Sequence, residues 1–429
     1  MQWHHFLSIF LCVGVYGFPS YLEGPVGKVV SERLSSKVND AVRSHDKKRS
    51  LGLASKPIKV TGEHEFIPPN FEKGDQRGPC PGLNALANHG YISRKGVTSL
   101  VEVAAAINQV YGMGVDLATI LATMGTVFVG NPLSLDPGFS IGATASGSQN
   151  ILGNLFGLLG TPRGLNGSHN IIEGDSSNTR DDLYVTGDAS TMDMKLFQSL
   201  YDSASKEGTY DFDAFAKRAK TRFHETVATN PNFYYGPFTG MIARNAGYFF
   251  ACRLLSNHTV GSTEDIMDIG TLKSFFAVTE KDGKLVYKRG HERIPENWYR
   301  RSIDYGLIGL NLDLLNLITN IGGNMGEINS YAGVDVSNIT DGVLNLTKLL
   351  EGNNLLCFVF EIVKTVAPNS LSTLFSIIAT PLELITDALG SAVLNLACPA
   401  FKDLTVGGTD FEDGIKKKFP GASLGSSVI

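Results

Sequence analysis

A cysteine flanked by prolines opens the stretch with the most chemistry in it: Gly78-Pro79-Cys80-Pro81-Gly82-Leu83-Asn84-Ala85-Leu86-Ala87-Asn88-His89-Gly90-Tyr91. Pro81 suits the first position of a helix, where a missing N–H would be unpaired anyway. Leu83, Leu86 and Ala87 recur at helical spacing, and Gly90 is a natural stop. The Cys80 sulfur is therefore expected beside unpaired backbone N–H groups at the positive end of a short helix, which lowers a thiol toward its thiolate. A thiolate can attack carbon, form a disulfide or bind a metal, and a disulfide in a turn is open to the same residues. A second polar stretch, His169-Asn170-Ile171-Ile172-Glu173-Gly174-Asp175-Ser176-Ser177-Asn178-Thr179-Arg180, gathers a histidine, two carboxylates and an arginine. Glu173 and Asp175 offer caps to the turn that follows.

The elements that must hold these groups read as helices. Ser93 to Gly112 places Val97, Leu100, Val101, Val103, Ala104, Ile107 and Val110 on one face. Asp116 to Val129 is apolar nearly all round and predicts a buried helix too short to span a membrane. The region 131–166 is rich in glycine, serine and proline and predicts loops. Two more helices fall between Asp182 and Arg222. The second begins at Asp211, carries Phe212, Phe215, Ala216, Ala219, Phe223 and Val227, and is broken by Asn230-Pro231-Asn232. A helix resumes through Met241 to Leu255, and another is expected from Thr263 to Phe276 with Asp265 near its start. Gly283 to Ile294 is simply charged. Helix signals outnumber strand signals, so the fold class is mainly α.

With 43% apolar and 18% charged residues, the 429-residue chain can bury a large core, and a net charge of −5 gives no reason to expect nucleic acid as a partner. Phe6 to Val15 is an apolar run of signal-peptide length, Gly17 offers a cleavage position, and no membrane span is expected. We assign residues 1–17 to a signal peptide, 18–49 to a pro-like segment ending at Lys47-Lys48-Arg49, 50–400 to the main domain and 401–429 to a tail. Secretion permits disulfides. Cys12 lies in the signal, and Cys357 is paired with Cys398, both in apolar surroundings; this leaves Cys80 free and Cys252 as a buried thiol. The rival pairing, Cys80 with Cys252, would remove any metal role for Cys80. Sequons at Asn166, Asn257, Asn338 and Asn345 are consistent with a glycosylated, secreted chain.

The Cys80 and Glu173 stretches resemble the proximal loop and the Glu-Gly-Asp motif of the haem-thiolate peroxidases, the family of chloroperoxidases and unspecific peroxygenases. Val227-Ala228-Thr229-Asn230-Pro231-Asn232-Phe233 and Gly326-Glu327-Ile328-Asn329-Ser330-Tyr331 are similar to landmarks of the long-type branch, as is the spacing of Cys357 and Cys398. The resemblance implies one large helical domain of the chloroperoxidase type, an oxidoreductase that uses hydrogen peroxide on a small organic substrate. It implies haem b with Cys80 as axial iron ligand, and Mg2+ held by Glu173, the Gly174 carbonyl and Ser177 beside a haem propionate. Arg180 is expected to pair with Asp175 or with a propionate, and His169 to make a core hydrogen bond. The family's acid–base pair, an arginine and a glutamate, falls on Thr239 and Ala246, which cannot do that work. Arg244 and Asn245 become the candidate catalytic residues, and Phe233, Tyr234, Tyr235, Phe238, Tyr248, Phe249 and Phe250 the candidate channel lining. Two functions follow: a peroxidase or peroxygenase with altered acid–base residues, or a haem-binding relative with little peroxide turnover that binds or positions a substrate.

Overall fold

The computed structural model describes residues 55–131, 136–145, 162–235, 239–258 and 265–306, with isolated positions among 309–317, 405–410 and 421. Among them helices dominate, joined by four two-stranded antiparallel pairs, in keeping with the mainly α expectation. Helix α1 (Pro81–Asn88) starts at Cys80, whose backbone is extended at φ −85° and ψ 110°. Gly78, just before it, admits no side chain, since a Cβ there would lie 1.9 Å from the Ile141 carbonyl oxygen.

Helix α2 (Leu100–Tyr111) begins later than its apolar spacing predicts. Gly96 is left-handed at φ 72° and pressed against the Gln76 carbonyl, so the chain turns there. Strand β1 (Val97–Ser99) follows and pairs with β2 (Gly138–Ser140). Ser99 then caps α2 by accepting from the Glu102 N–H at 3.2 Å. Helix α3 (Val115–Val129) packs along α2 as the buried element expected from its composition. Among the described residues no helix is long and apolar enough to cross a membrane.

Helices α4 (Leu183–Thr186) and α5 (Met194–Tyr201) lead to strand β3 (Thr209–Tyr210), which pairs with β4 (Met267–Asp268). Helix α6 (Phe212–Thr229) is capped by Asp211, which accepts from the Ala214 N–H at 2.8 Å. It buries Phe212, Phe215, Ala216, Ala219 and Phe223, and also Arg218 and Arg222. A π-helical turn, Thr239–Arg244, runs into α7 (Asn245–Leu255), which packs on α6. Helix α8 (Ile269–Phe275) starts later than expected and is capped by Asp268, not Asp265. Asp265 is spent on charges instead: Arg253 at 2.9 Å, His258 at 2.6 Å, and Arg301.

The charged stretch after α8 is a hairpin, β5 (Val278–Lys281) with β6 (Lys284–Tyr287), turned by Asp282 (φ 52°) and Gly283 (φ 71°). Asp-Gly at two positive φ values matches the right-handed twist of the strands. The wholly buried Trp298 anchors the core between Tyr111 and Phe275, at ring distances of 5.9 Å and 5.7 Å. In the tail, Gly421 lies against the Asn232 carbonyl.

Candidate active site

Cys80 is half-buried and unbridged, and so is not joined to Cys252, a buried thiol that donates to the Asp265 carbonyl at 3.1 Å. Burial pushes the Cys80 thiol up, while the Leu83 and Gly82 N–H groups and the Arg180 charge pull it down and the Glu292 charge adds to the rise. The expected lowering is therefore reversed in the polypeptide by itself, because enclosure of the sulfur outweighs the short helix end.

The rest of the loop is stitched down. Asn84 accepts from the Gly78 N–H at 3.0 Å and donates to the Gly78 carbonyl at 2.9 Å. Its second amide hydrogen reaches Glu292 Oε1 at 3.1 Å. Asn88 donates to the carbonyls of Gly290 and Glu292 at 2.8 Å and 2.7 Å and accepts from Arg77 Nε at 2.9 Å. Glu292 is 1% exposed, and its Oε1 lies 3.8 Å from Arg180 Nη2. Burial pushes this carboxyl up against the pull of Arg180. Two buried atoms here, Arg180 Nε and Glu292 Oε2, have no hydrogen-bond partner among the described residues.

The Glu173 stretch forms a second buried network. His169 Nδ1 meets Glu173 Oε2 at 2.6 Å, and its Nε2 lies 3.8 Å from Asp175 Oδ1. Asp175 Oδ2 accepts from the Tyr234 N–H at 2.9 Å. Burial, with Asp182 nearby, pushes Asp175 up to about 8. His169 is pulled down by burial but raised more strongly by the Glu173, Asp175 and Asp182 carboxylates. Asp182 accepts from the Ser176 N–H at 2.8 Å, Arg222 Nη2 at 2.9 Å and Asn230 Nδ2 at 3.0 Å. The Asn-Pro-Asn turn after α6 thus ties directly into the Glu-Gly-Asp stretch.

The π-helical turn closes on the same stretch. A Cβ on Gly174 would sit 3.2 Å from Thr239 Cβ, and the buried Thr239 hydroxyl has no hydrogen-bond partner among the described residues. Arg244 donates to Ser176 O at 2.9 Å, Ser176 Oγ at 2.8 Å, Ala219 O at 2.6 Å and Asn245 Oδ1 at 2.9 Å, with its guanidinium 4.5 Å over the Tyr248 ring. Asn245 donates to the Tyr235 hydroxyl at 3.0 Å, and Ala246 is buried. Phe233, Tyr234, Tyr235, Tyr248 and Phe249 are buried in the same core.

Residues 64–303 match the family described as "Peroxidase, family 2". The chain belongs to the haem-thiolate peroxidases. It is 72% identical over 437 aligned positions, covering 100% of both chains, to "Aromatic peroxidase fscJ" of Fusarium equiseti. It is 38% identical over 367 positions, 83% of this chain and 86% of the relative, to "Dothistromin biosynthesis peroxidase dotB" of Dothistroma septosporum. It is 29% identical over 339 positions, 76% of this chain and 81% of the relative, to "Aromatic peroxygenase" of Cyclocybe aegerita. The protein is accordingly a peroxidase- or peroxygenase-type oxidoreductase, and its family implies hydrogen peroxide and an organic molecule as reactants.

The side chains show where each expected site residue of this peroxidase stands. Arg180 pairs with Glu292 and donates to Thr179 Oγ1 at 2.7 Å, whereas Asp175 is held by Tyr234. Arg244 is a buried anchor of the Ser176 loop, with four hydrogen bonds already made. His169 makes the expected core hydrogen bond. No group of three or more His, Cys, Asp or Glu side chains converges as a metal cage among the described residues. Asn166 turns its amide oxygen toward Gly78, next to a fully buried Ser168, and Asn257 spends its side chain on the Asn297 carbonyl and the Tyr299 N–H. Cys357, Cys398, Asn338, Asn345 and Phe238 lie outside the described residues. Glu292 and Asp182 were missed. Glu292 sits in a charged loop with no spacing to mark it, and Asp182 follows directly on the stretch already singled out, with Asp181 beside it.

Proposed function

We propose that this chain is a secreted haem-thiolate peroxidase or peroxygenase in which Cys80 is the axial ligand of haem b and the family's arginine–glutamate pair is absent. One observation carries the reading: a free thiol at the start of α1, facing the N–H groups of Gly82 and Leu83. The residues around it fit such a cofactor. Arg180 Nε is a buried cationic donor without a partner, suited to an anionic propionate, and the Cys80 loop is fixed by Asn84 and Asn88. A coordinating metal deprotonates a thiol outright, which removes the obstacle that burial sets. Bound here, the thiolate-ligated haem supplies the peroxide-dependent oxidation. The names of the relatives favour an aromatic substrate, a specialised metabolite among the options.

Mg2+ belongs to the same proposal. Glu173 Oε1 is buried and, among the described residues, has no hydrogen-bond partner, so it is available to the ion, with the Gly174 carbonyl and Ser177 completing the set. Metal analysis of the purified holoprotein tests this against a Glu173→Gln variant. Secretion rests on the apolar run from Phe6 to Val15, and N-terminal sequencing of protein from culture medium tests it. The deciding experiment mixes haem-loaded protein with an aromatic substrate and isotopically labelled hydrogen peroxide. Label in the product supports peroxygenation, and oxidised product without label supports one-electron peroxidation. The second reading, a haem binder with little turnover, is favoured by Ala246 and by the engagement of Arg244 in the fold. Bound haem with no product would establish it.

A further inference from the structure

We infer that Glu292 is a positioning residue for the Cys80 sulfur, acting through Asn84; this rests on the reading of Cys80 as the cofactor's thiolate ligand. The sulfur is carried by the residue at the mouth of α1, so its direction is set by whatever fixes the chain between Gly78 and Asn84. Asn84 does this with a two-point clamp on Gly78, accepting at 3.0 Å and donating at 2.9 Å. The remaining amide hydrogen points at Glu292 Oε1, 3.1 Å away. An amide with both hydrogens and its oxygen engaged has one orientation left, and the clamp is then rigid.

Glu292 can serve because it is itself fixed. Its carbonyl accepts from Asn88 at 2.7 Å, and the Ile294 N–H donates to His89 Nε2 at 3.1 Å. Its carboxyl is 3.8 Å from Arg180 and wholly enclosed. Two polar side chains of α1, Asn84 and Asn88, and that of His89 just after it therefore reach the 290–294 segment. Asn88 and His89 use only backbone atoms there, which no substitution at Glu292 removes. Only the Glu292 side chain reaches the first turn, beside the sulfur. Substitution should loosen the mouth of α1 and leave its far end in place.

The test compares full-length, haem-loaded Glu292→Gln and Glu292→Asp with the parent protein. Gln keeps an acceptor at full reach and loses the carboxyl; Asp keeps the carboxyl and falls a methylene short of Asn84. The readout is the ratio of thiolate-type to neutral-ligand-type Soret absorption after reduction and addition of carbon monoxide. Loss of one buried hydrogen bond predicts about a fivefold lower ratio in Glu292→Asp, with Glu292→Gln close to the parent. The reverse order, Asp like the parent and Gln impaired, would overturn the inference, because charge and not position would then be acting. Two variants both like the parent would overturn it as well. A parent protein with bound haem but no thiolate-type band would instead remove the reading of Cys80 beneath it. If Glu292→Asp does not fold, Asn84→Ser in the haem-loaded protein breaks the same clamp from the other side and must lower the ratio likewise.

Discussion

Around Cys80, the polar side chains of α1 and of His89 at its end reach to a segment far along the chain: Asn84 to Glu292, Asn88 to Gly290 and Glu292, His89 to Ile294. Around the turn from Thr239 to Ala246 the polar groups face a different task. Arg244 is consumed by the Ser176 loop and α6, Asn245 by Tyr235, and Thr239 is left with an unpartnered hydroxyl against Gly174. The first region is over-determined and presents one reactive atom. The second uses its charge to hold the fold and presents none. A side chain cannot both anchor three elements through a buried guanidinium and change protonation during a reaction. On the proposed reading of Cys80, the chain holds a sulfur in a fixed loop, while Thr239 and Ala246, where the resemblance puts the family's arginine and glutamate, carry no acid.

The largest effect is expected at Cys80. Cys80→Ser removes the sulfur and should abolish both the thiolate-type spectrum and peroxide-dependent turnover; an unaltered spectrum would break the comparison at its stronger side. Next is Ala246→Glu, which places a carboxyl at the position the proposed alignment gives to the family's general acid–base. Turnover with hydrogen peroxide should rise by roughly 10²-fold, the low end of what a positioned acid–base group contributes. An unchanged rate with haem still bound would show that the register is wrong.

Arg244→Met sharpens the other side. It removes four buried, charge-assisted hydrogen bonds, although the Ser176 carbonyl keeps the Tyr248 hydroxyl as a partner, and should cost about 3–5 kcal/mol in chemical unfolding. A variant of normal stability with lost turnover would instead return Arg244 to the reaction. The smallest effect separates two buried aspartates by pH. Asp265 lies below its ordinary value: burial raises it, but the hydrogen bonds from His258 and Arg301 outweigh that. Its stabilisation is present above the unfolded value of 3.8 and is lost as the pH falls toward the folded value. Asp175, raised to about 8 by burial and by Asp182, does the opposite: stability declines as the pH rises from the ordinary 3.8 toward 8. Asp265→Asn should flatten the acid limb of the stability curve, and Asp175→Asn the decline between those two values; unfolding measured across pH checks both.

Much of this was legible in the sequence where a single period or a single cap governs. The helix at Cys80, the buried α3 and the Asp211 cap of α6 follow from local spacing. The start of α2 was misplaced because three residues of β1 satisfy both the helical and the strand period, and only the contact of Gly96 with Gln76 decides between them. The β5–β6 hairpin carried an Asp-Gly signal that its charges concealed. Within the site, Cys80, Glu173 and His169 announce themselves by motif. Glu292 and Asp182 do not, because their roles come from partners distant in the chain: Asn84 for one, Arg222 and Asn230 for the other. Arg244 illustrates the converse, a residue whose type suggested chemistry and whose four hydrogen bonds to Ser176, Ala219 and Asn245 no local spacing announces.

The measurement that bears most directly on this account is the absorption spectrum of the purified, haem-loaded protein, taken in the resting state and again after reduction in the presence of carbon monoxide. The account predicts haem bound at one per chain with the red-shifted Soret band of thiolate ligation, lost in Cys80→Ser. A nitrogen-ligated spectrum, or failure of the folded chain to take up haem, would contradict it.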